Sequence, residues 1–250
     1  MAGRGGRTYK TEAVVLRSLR YGEADRILHL YTAERGRVGA IAKGVRKTMS
    51  RFGGRLEPLS HVELMLHEGG GELQTVTGAQ LIRPHSAVRD QPYRLDVGLI
   101  AAEAVLRLLA EPEANERAFG ALTRVLDLLD EAPPLDSRAA LDPLVLSFQL
   151  KLLWLAGYLP HLTGCVECGR DDGLVAYAPR AGGAVCAEHA GAGSLRLSPG
   201  GVAGIERLLS TPLADAHDAG LSDRARRDAL AVITSSYEEH GGFRLRTLYA

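Results

Sequence analysis

The 250 residues sum to formal neutrality, 30 Lys and Arg against 30 Asp and Glu, and 46% of them are hydrophobic, an ordinary globular composition. No window approaches the 18 uninterrupted apolar residues of a membrane span; the richest, Pro143 to Leu159, is broken by Lys151. The opening Met1 to Arg7 has charges but no apolar run behind them, which argues against a signal peptide and leaves the cytoplasm as the expected compartment.

Neutrality conceals an uneven distribution. Residues 1–84 carry 14 Lys and Arg against 8 Asp and Glu, residues 85–160 carry 7 against 11, and residues 161–250 carry 9 against 11. Such asymmetry points to a basic binding module on a neutral-to-acidic body.

Taken in order, residues 1–8 read as a disordered lead-in and residues 9–84 as a small β domain. Thr11 to Leu19, Asp25 to Thr32, Val38 to Lys43, His61 to His67 and Leu73 to Ile82 are five short strands, with Tyr21-Gly22-Glu23 and Gly69-Gly70-Gly71 as turns. Five strands in so few residues predict a five-stranded OB-fold barrel, with an SH3-like barrel as the rival. Between Glu34 and Glu57 lie seven basic residues and no acid: Arg35, Arg37, Lys43, Arg46, Lys47, Arg51 and Arg55. This stretch begins on the third strand and runs into the next connection, where a segregated positive run attracts a polyanion such as nucleic acid. Phe52, with Tyr21 and Tyr31, is a candidate to stack on bases, although for the tyrosines barrel core or strand packing is the favoured reading.

Beyond Arg83-Pro84-His85 the period becomes helical. Residues 85–163 and 194–250 read as a helical bundle interrupted once, at 164–193. The first stripe is Leu95, Leu99, Ala102, Leu106 and Leu109 after Pro92. The second, capped by Asn115, is Phe119, Leu122, Val125, Leu126 and Leu129, stopped by Pro133-Pro134. A third helix over Ser137 to Leu155 is apolar nearly all round and belongs at a bundle centre. Ser198-Pro199 and Ser222 signal two more starts. Arg224, Arg226 and Arg227, and Arg244 with Arg246, offer a second basic surface.

Within the interruption, Cys165-Val-Glu-Cys168 and Cys186-Ala-Glu-His189 form two knuckles of metal-ligand spacing. Three sulfurs and one imidazole make a closed tetrahedral set for one structural zinc ion, with no open position for catalysis. Gly39 to Gly44 begins like a phosphate-binding loop, but Val45 stands where the lysine belongs. No metalloprotease or nucleophile-elbow motif is present, and nothing argues for an enzyme.

The segments Arg20-Tyr-Gly-Glu23-Ala-Asp25-Arg-Ile27, Tyr31-Thr-Ala-Glu34-Arg-Gly36, Ala42-Lys-Gly44-Val-Arg-Lys47 and Gly54-Arg-Leu-Glu-Pro58, followed by the cysteine knuckles, resemble the bacterial RecO recombination-mediator family. The resemblance looks close to the forms found in radiation-resistant bacteria. It implies an N-terminal OB fold, a helical body and an inserted zinc-ribbon-like element. It further implies a DNA repair and recombination mediator that binds single- and double-stranded DNA and anneals complementary strands. Such a mediator helps load a RecA-type recombinase onto protein-coated single strands. RecR and the single-strand-binding protein are the implied partners, in the nucleoid-associated cytoplasm. His189 departs from the family pattern, which usually has Cys there. A non-enzymatic zinc-containing scaffold and an RNA-binding OB-fold protein are the alternative readings.

Overall fold

The computed structural model describes residues 6–131 and 138–249. The Pro133-Pro134 stop, the expected helix start at Ser137 and most of the N-terminal lead-in lie outside the described residues. Compactness divides the chain into Met1–Ala132 and Pro133–Ala250.

The first unit opens with β1 (Arg7–Tyr21), β2 (Asp25–Thr32) and β3 (Gly36–Ala42), followed by β4 (His61–Glu68) and β5 (Gln74–Arg83). They close into a barrel in the order β1-β2-β3-β5-β4, with β4 returning to β1 and β5 running parallel to β3. That order is the OB-like ring, and it removes the SH3-like alternative. Alternation produces the core: Ala13, Val15, Leu28, Leu30, Val38, Ala40, Val62, Leu64, Leu66 and Val76 point inward, all buried. Arg7 and Thr8 are already paired with Glu68 and His67, so β1 starts earlier than its apolar run indicates.

The connection from β3 to β4 plugs one end of this barrel. Gly44 adopts a left-handed conformation (φ 67°) and donates its N–H to Asp25 Oδ1 at 2.7 Å, turning the chain off β3. The chain then sends Phe52 and Leu56, each 1% exposed, into the barrel core.

Three helices complete this unit: α1 (Ser86–Asp90), α2 (Pro92–Leu108) and α3 (Glu116–Glu131). Asn115 caps α3 as expected, accepting from the Ala118 N–H at 2.9 Å, and all five residues of the predicted α3 stripe are buried. In α2 the buried face is Val97, Gly98, Ile100, Ala101, Ala102, Ala104 and Val105, so of the predicted stripe Ala102 is buried but the leucines are not. Leu95, Leu99, Leu106 and Leu109 are half-buried. The small residues win because they allow close approach: a Cβ on Gly98 would lie 2.8 Å from Leu59 Cδ1 and 3.1 Å from Val88 Cγ1. Leu59 in turn is left-handed (φ 67°), and its carbonyl is held by His85 Nδ1 at 2.8 Å.

The second unit contains α4 (Pro143–Leu155), a three-stranded sheet of β6 (Leu174–Ala178), β7 (Gly183–Cys186) and β8 (Leu195–Arg196), then α5 (Gly201–Ser210) and α6 (Asp223–Gly241). α4 begins later than its apolar pattern indicates. Asp142 is its cap, accepting from the Leu144 N–H at 2.8 Å, and Pro143 occupies the first turn. Its central position is observed, with Leu144 to Leu150 buried throughout, although Trp154 is 53% exposed. Lys151 reaches the end of α5, donating to the carbonyls of Leu208, Leu209 and Thr211 at 2.8–2.9 Å. A cation there satisfies orphan carbonyls and opposes the negative end of the helix dipole. Ser198 does not cap α5. Gly200 is the capping residue, while the Ser198 N–H and hydroxyl both donate to Asp228 Oδ2. Ser222 caps α6 through the Ala225 N–H.

Candidate nucleic-acid interface and metal centre

The seven basic residues between Glu34 and Glu57 separate into two groups. Arg35 is locked: its guanidinium lies 3.6 Å from the Tyr9 ring centroid and donates to Glu68 Oε2 at 3.0 Å. Arg37 is half-buried on β3, beside a pocket of about 390 Å³ lined by Glu34, Arg35, Glu68, Glu72 and Gln74. Lys43, Arg46, Lys47, Arg51 and Arg55 are exposed, and among the described residues none of the five has a carboxylate partner.

Backbone contacts hold these five in place. The Arg46 N–H donates to the Ala24 carbonyl at 2.9 Å, and Arg46 Nη1 donates to the Glu23 carbonyl at 3.2 Å, fastening the connection to the β1–β2 hairpin tip. Arg55 Nη1 donates to the carbonyls of Arg51 and Phe52 at 3.2 and 3.1 Å. The hairpin tip adds Arg20 and Tyr21, the latter 53% exposed.

Phe52 requires correction. Its ring is in the barrel core with the Arg51 guanidinium 4.8 Å from its centroid, so it offers no free face to a base. The reason is local: the connection has to close the barrel end, and its only aromatic residue fills that space. Tyr31 is likewise core at 1% exposure, and burial pushes its phenol up to about 12. Of the three aromatic candidates, Tyr21 alone is exposed.

Sequence reasoning missed Arg17. It is cross-strand to His29, which is adjacent in turn to Gly39 of β3. Only the register brings these residues together, and the period-2 pattern of each strand was the available signal. On the second unit, Arg224 and Arg227 are exposed on α6, while Arg226 is half-buried with Asp223 Oδ1 at 3.9 Å. Arg244 is paired with Glu238 at 2.7 Å.

The knuckles converge as the spacing predicts. One ligand atom from each of Cys165, Cys168, Cys186 and His189 falls within 4.8 Å of the others. His189 Nδ1 stands 3.7 Å from Cys165 Sγ and 3.2 Å from Cys186 Sγ. Bond lengths of about 2.3 Å to sulfur and about 2.0–2.1 Å to nitrogen give tetrahedral edges of roughly 3.3–3.8 Å, so these residues fit a metal ion. Each knuckle is a hydrogen-bonded turn, with Gly169 N–H to the Cys165 carbonyl at 2.8 Å and His189 N–H to the Cys186 carbonyl at 3.1 Å. Burial works to raise the Cys165 and Cys186 thiols, but backbone N–H groups aimed at their sulfurs outweigh it and hold both below the ordinary thiol value. Thiols so placed are ready to ligate. Behind them lies only a small core of Ala176, Val185 and neighbouring apolar residues.

Residues 7–85 match the family description "Recombination protein O N terminal" and residues 89–248 match "Recombination protein O C terminal". The chain belongs to the RecO family. Its relatives named DNA repair protein RecO include one from Rubrobacter xylanophilus, 41% identical over 226 residues and covering 88% of each chain. Another, from Anaeromyxobacter sp., is 36% identical over 241 residues, or 94% of this chain and 92% of its own. A third, from Frankia casuarinae, is 39% identical over 246 residues and covers 96% of both. The family is one of DNA repair and recombination proteins that mediate rather than catalyse. None of the described helices is long and apolar enough to cross a membrane.

Proposed function

We propose that this chain binds single- and double-stranded DNA through Lys43, Arg46, Lys47, Arg51 and Arg55, anneals complementary strands, and assists loading of a RecA-type recombinase onto strands coated by single-strand-binding protein. One observation carries the reading: five exposed cations without carboxylate partners among the described residues, mounted on a connection whose own apolar residues anchor it in an OB-like barrel. Unpaired cations on a fixed frame exchange counterions for phosphates without first breaking an internal ion pair. Arg37 extends this surface along β3, whereas Arg35 is already engaged by Glu68. RecR and the single-strand-binding protein are the partners that family membership brings, in the nucleoid-associated cytoplasm.

Annealing needs no bond chemistry, only two strands held together with their repulsion screened. Arg224, Arg226 and Arg227 supply a second surface in this reading. Replacing all three by Glu is expected to slow annealing more than single-strand binding, and an unchanged annealing rate removes the second surface.

The metal at Cys165, Cys168, Cys186 and His189 is zinc in this proposal, four-coordinate and structural. It braces the 164–193 element, which functions as an insert in a helical body of 85–163 and 194–250 that follows the 9–84 barrel in the chain. Within the family we place the chain near forms found in radiation-resistant bacteria; a phylogeny grouping it elsewhere removes that narrower likeness.

The deciding experiment is a gel-shift and annealing series comparing the natural protein with Lys43→Glu/Arg46→Glu/Lys47→Glu. Loss of both activities is expected. Retention of both would show that the DNA-binding surface lies elsewhere.

A further inference from the structure

On the outer face of the barrel, Arg17 of β1 is directly opposite His29 of β2, and His29 is opposite Gly39 of β3. Leu28, Leu30, Val38 and Ala40 point into the core, so His29, Arg37 and Gly39 face outward. Directly opposed residues on one face stand about 4.5–5.5 Å apart and diagonal ones about 7–8 Å. His29 therefore stands on one outer face between Arg17, directly opposite, and Arg37, diagonal to it, while the Leu73 side chain covers Gly39 beside them. Neither arginine has a carboxylate partner among the described residues, unlike Arg26 and Arg35 of the same barrel, which are paired with Glu57 and Glu68. His29 also lacks a hydrogen-bond partner among the described residues.

We propose that Arg17, His29 and Arg37 form a phosphate subsite on the outer face of β1, β2 and β3, and that filling it protonates His29, so that DNA binding takes up one proton. The inference rests on the DNA-binding reading given above and extends it with a regulatory property. Burial first, and then the charges of Arg17 and Arg37, hold the His29 imidazole below its ordinary value in the free protein. Arg17 and Arg37 are the charged groups that bear on the ring; Glu34, Glu68 and Glu72 share the neighbouring pocket with Arg37 and Gly39, and the buried Tyr31 phenol is two residues along, but none of these contributes to the His29 shift. A phosphate between the three neutralises the arginines' effect and accepts a hydrogen bond from the imidazolium, reversing the balance. The proton comes from the buffer, and no other bond changes. From Arg37 to Lys43 is six residues along and just past β3, about 20 Å, so the subsite and the basic connection lie within the roughly 4–16 nucleotides that one OB fold covers.

The test follows the His29 ring resonances of the natural protein by NMR through a pH titration, with and without a short oligothymidylate. Binding enthalpies are compared in buffers of different ionisation heat. The expected result is an upward shift of the His29 midpoint on DNA. Proton uptake should approach one, and affinity should fall by up to about tenfold per pH unit between the free and bound midpoints. The variant His29→Gln should keep the salt dependence and lose the pH dependence. If the oligothymidylate binds through the basic connection but the His29 midpoint stays put or falls, this subsite is refuted and the DNA-binding reading stands. If the oligothymidylate does not bind at all, both fail.

Discussion

Phe52 separates two accounts of the basic connection with one pair of substitutions. Its ring is 1% exposed and packs with Leu56 among the barrel residues, so truncation to Ala leaves a cavity that the rigid strands cannot close. Such Phe→Ala changes cost about 3–5 kcal/mol, a large share of the roughly 5–15 kcal/mol that holds a domain folded. Phe52→Leu keeps the site apolar and near its volume and should cost less than about 1.5 kcal/mol. DNA affinity in Phe52→Leu should stay within about twofold of the natural protein, because the cations and their backbone contacts remain. A stacking ring would give the opposite pattern: stability untouched and about 1–3 kcal/mol of binding lost. The single tryptophan, Trp154, belongs to the other unit. Hydrogen exchange of β2 and β3 amides is therefore the stability assay, beside fluorescence anisotropy with a labelled oligonucleotide. Unchanged protection in Phe52→Ala, with affinity lost in Phe52→Leu, would refute the core assignment.

Three further outcomes follow from the second unit. Metal analysis should find one zinc per chain, and chelation or Cys186→Ser should release protection in β6 and β7, since the core behind the knuckles is small; recovery without metal and with unaltered exchange would contradict this. Lys151→Met strands three carbonyls at the end of α5 and should destabilise the unit by about 1–3 kcal/mol in urea melts followed by Trp154, whereas an unchanged midpoint would deny Lys151 its capping role. His217 is held above its ordinary value, chiefly by its hydrogen bond to Asp142 against opposing burial, with Asp218 adding to the effect and Arg226 opposing it. Its contribution is therefore fully present below about pH 6.5 and is lost as pH rises through its folded value, so the unit should be more stable at pH 6 than at pH 8, and His217→Asn should flatten that difference.

Much of this architecture was legible before any coordinate. Strand alternation located the barrel, Asn115 and Ser222 marked helix starts through their own side-chain chemistry, and the knuckle spacing brought four ligand atoms together. These signals are local and need no knowledge of neighbours. The failures share the opposite character. The leucine stripe of α2 is not its buried face because Gly98 and Ala101 permit a closer approach that the stripe does not. Phe52 looked like a binding residue because the shape of the barrel end is not written beside it. Ser198 carried a capping signature, yet Asp228, distant in sequence, takes its hydrogen bonds. Arg17 and His29 went unnoticed for the same reason, since register decides which charges share a face.

The most direct test of the central claim is the salt dependence of DNA affinity. With five unpaired cations engaged, log K should fall against log salt with a slope of about −4.5 on duplex and about −3.5 on single strands. In Lys43→Glu/Arg46→Glu/Lys47→Glu the duplex slope should shrink by about 2.7, three phosphates' worth, with binding weakened throughout. An unchanged slope in that variant would contradict the account.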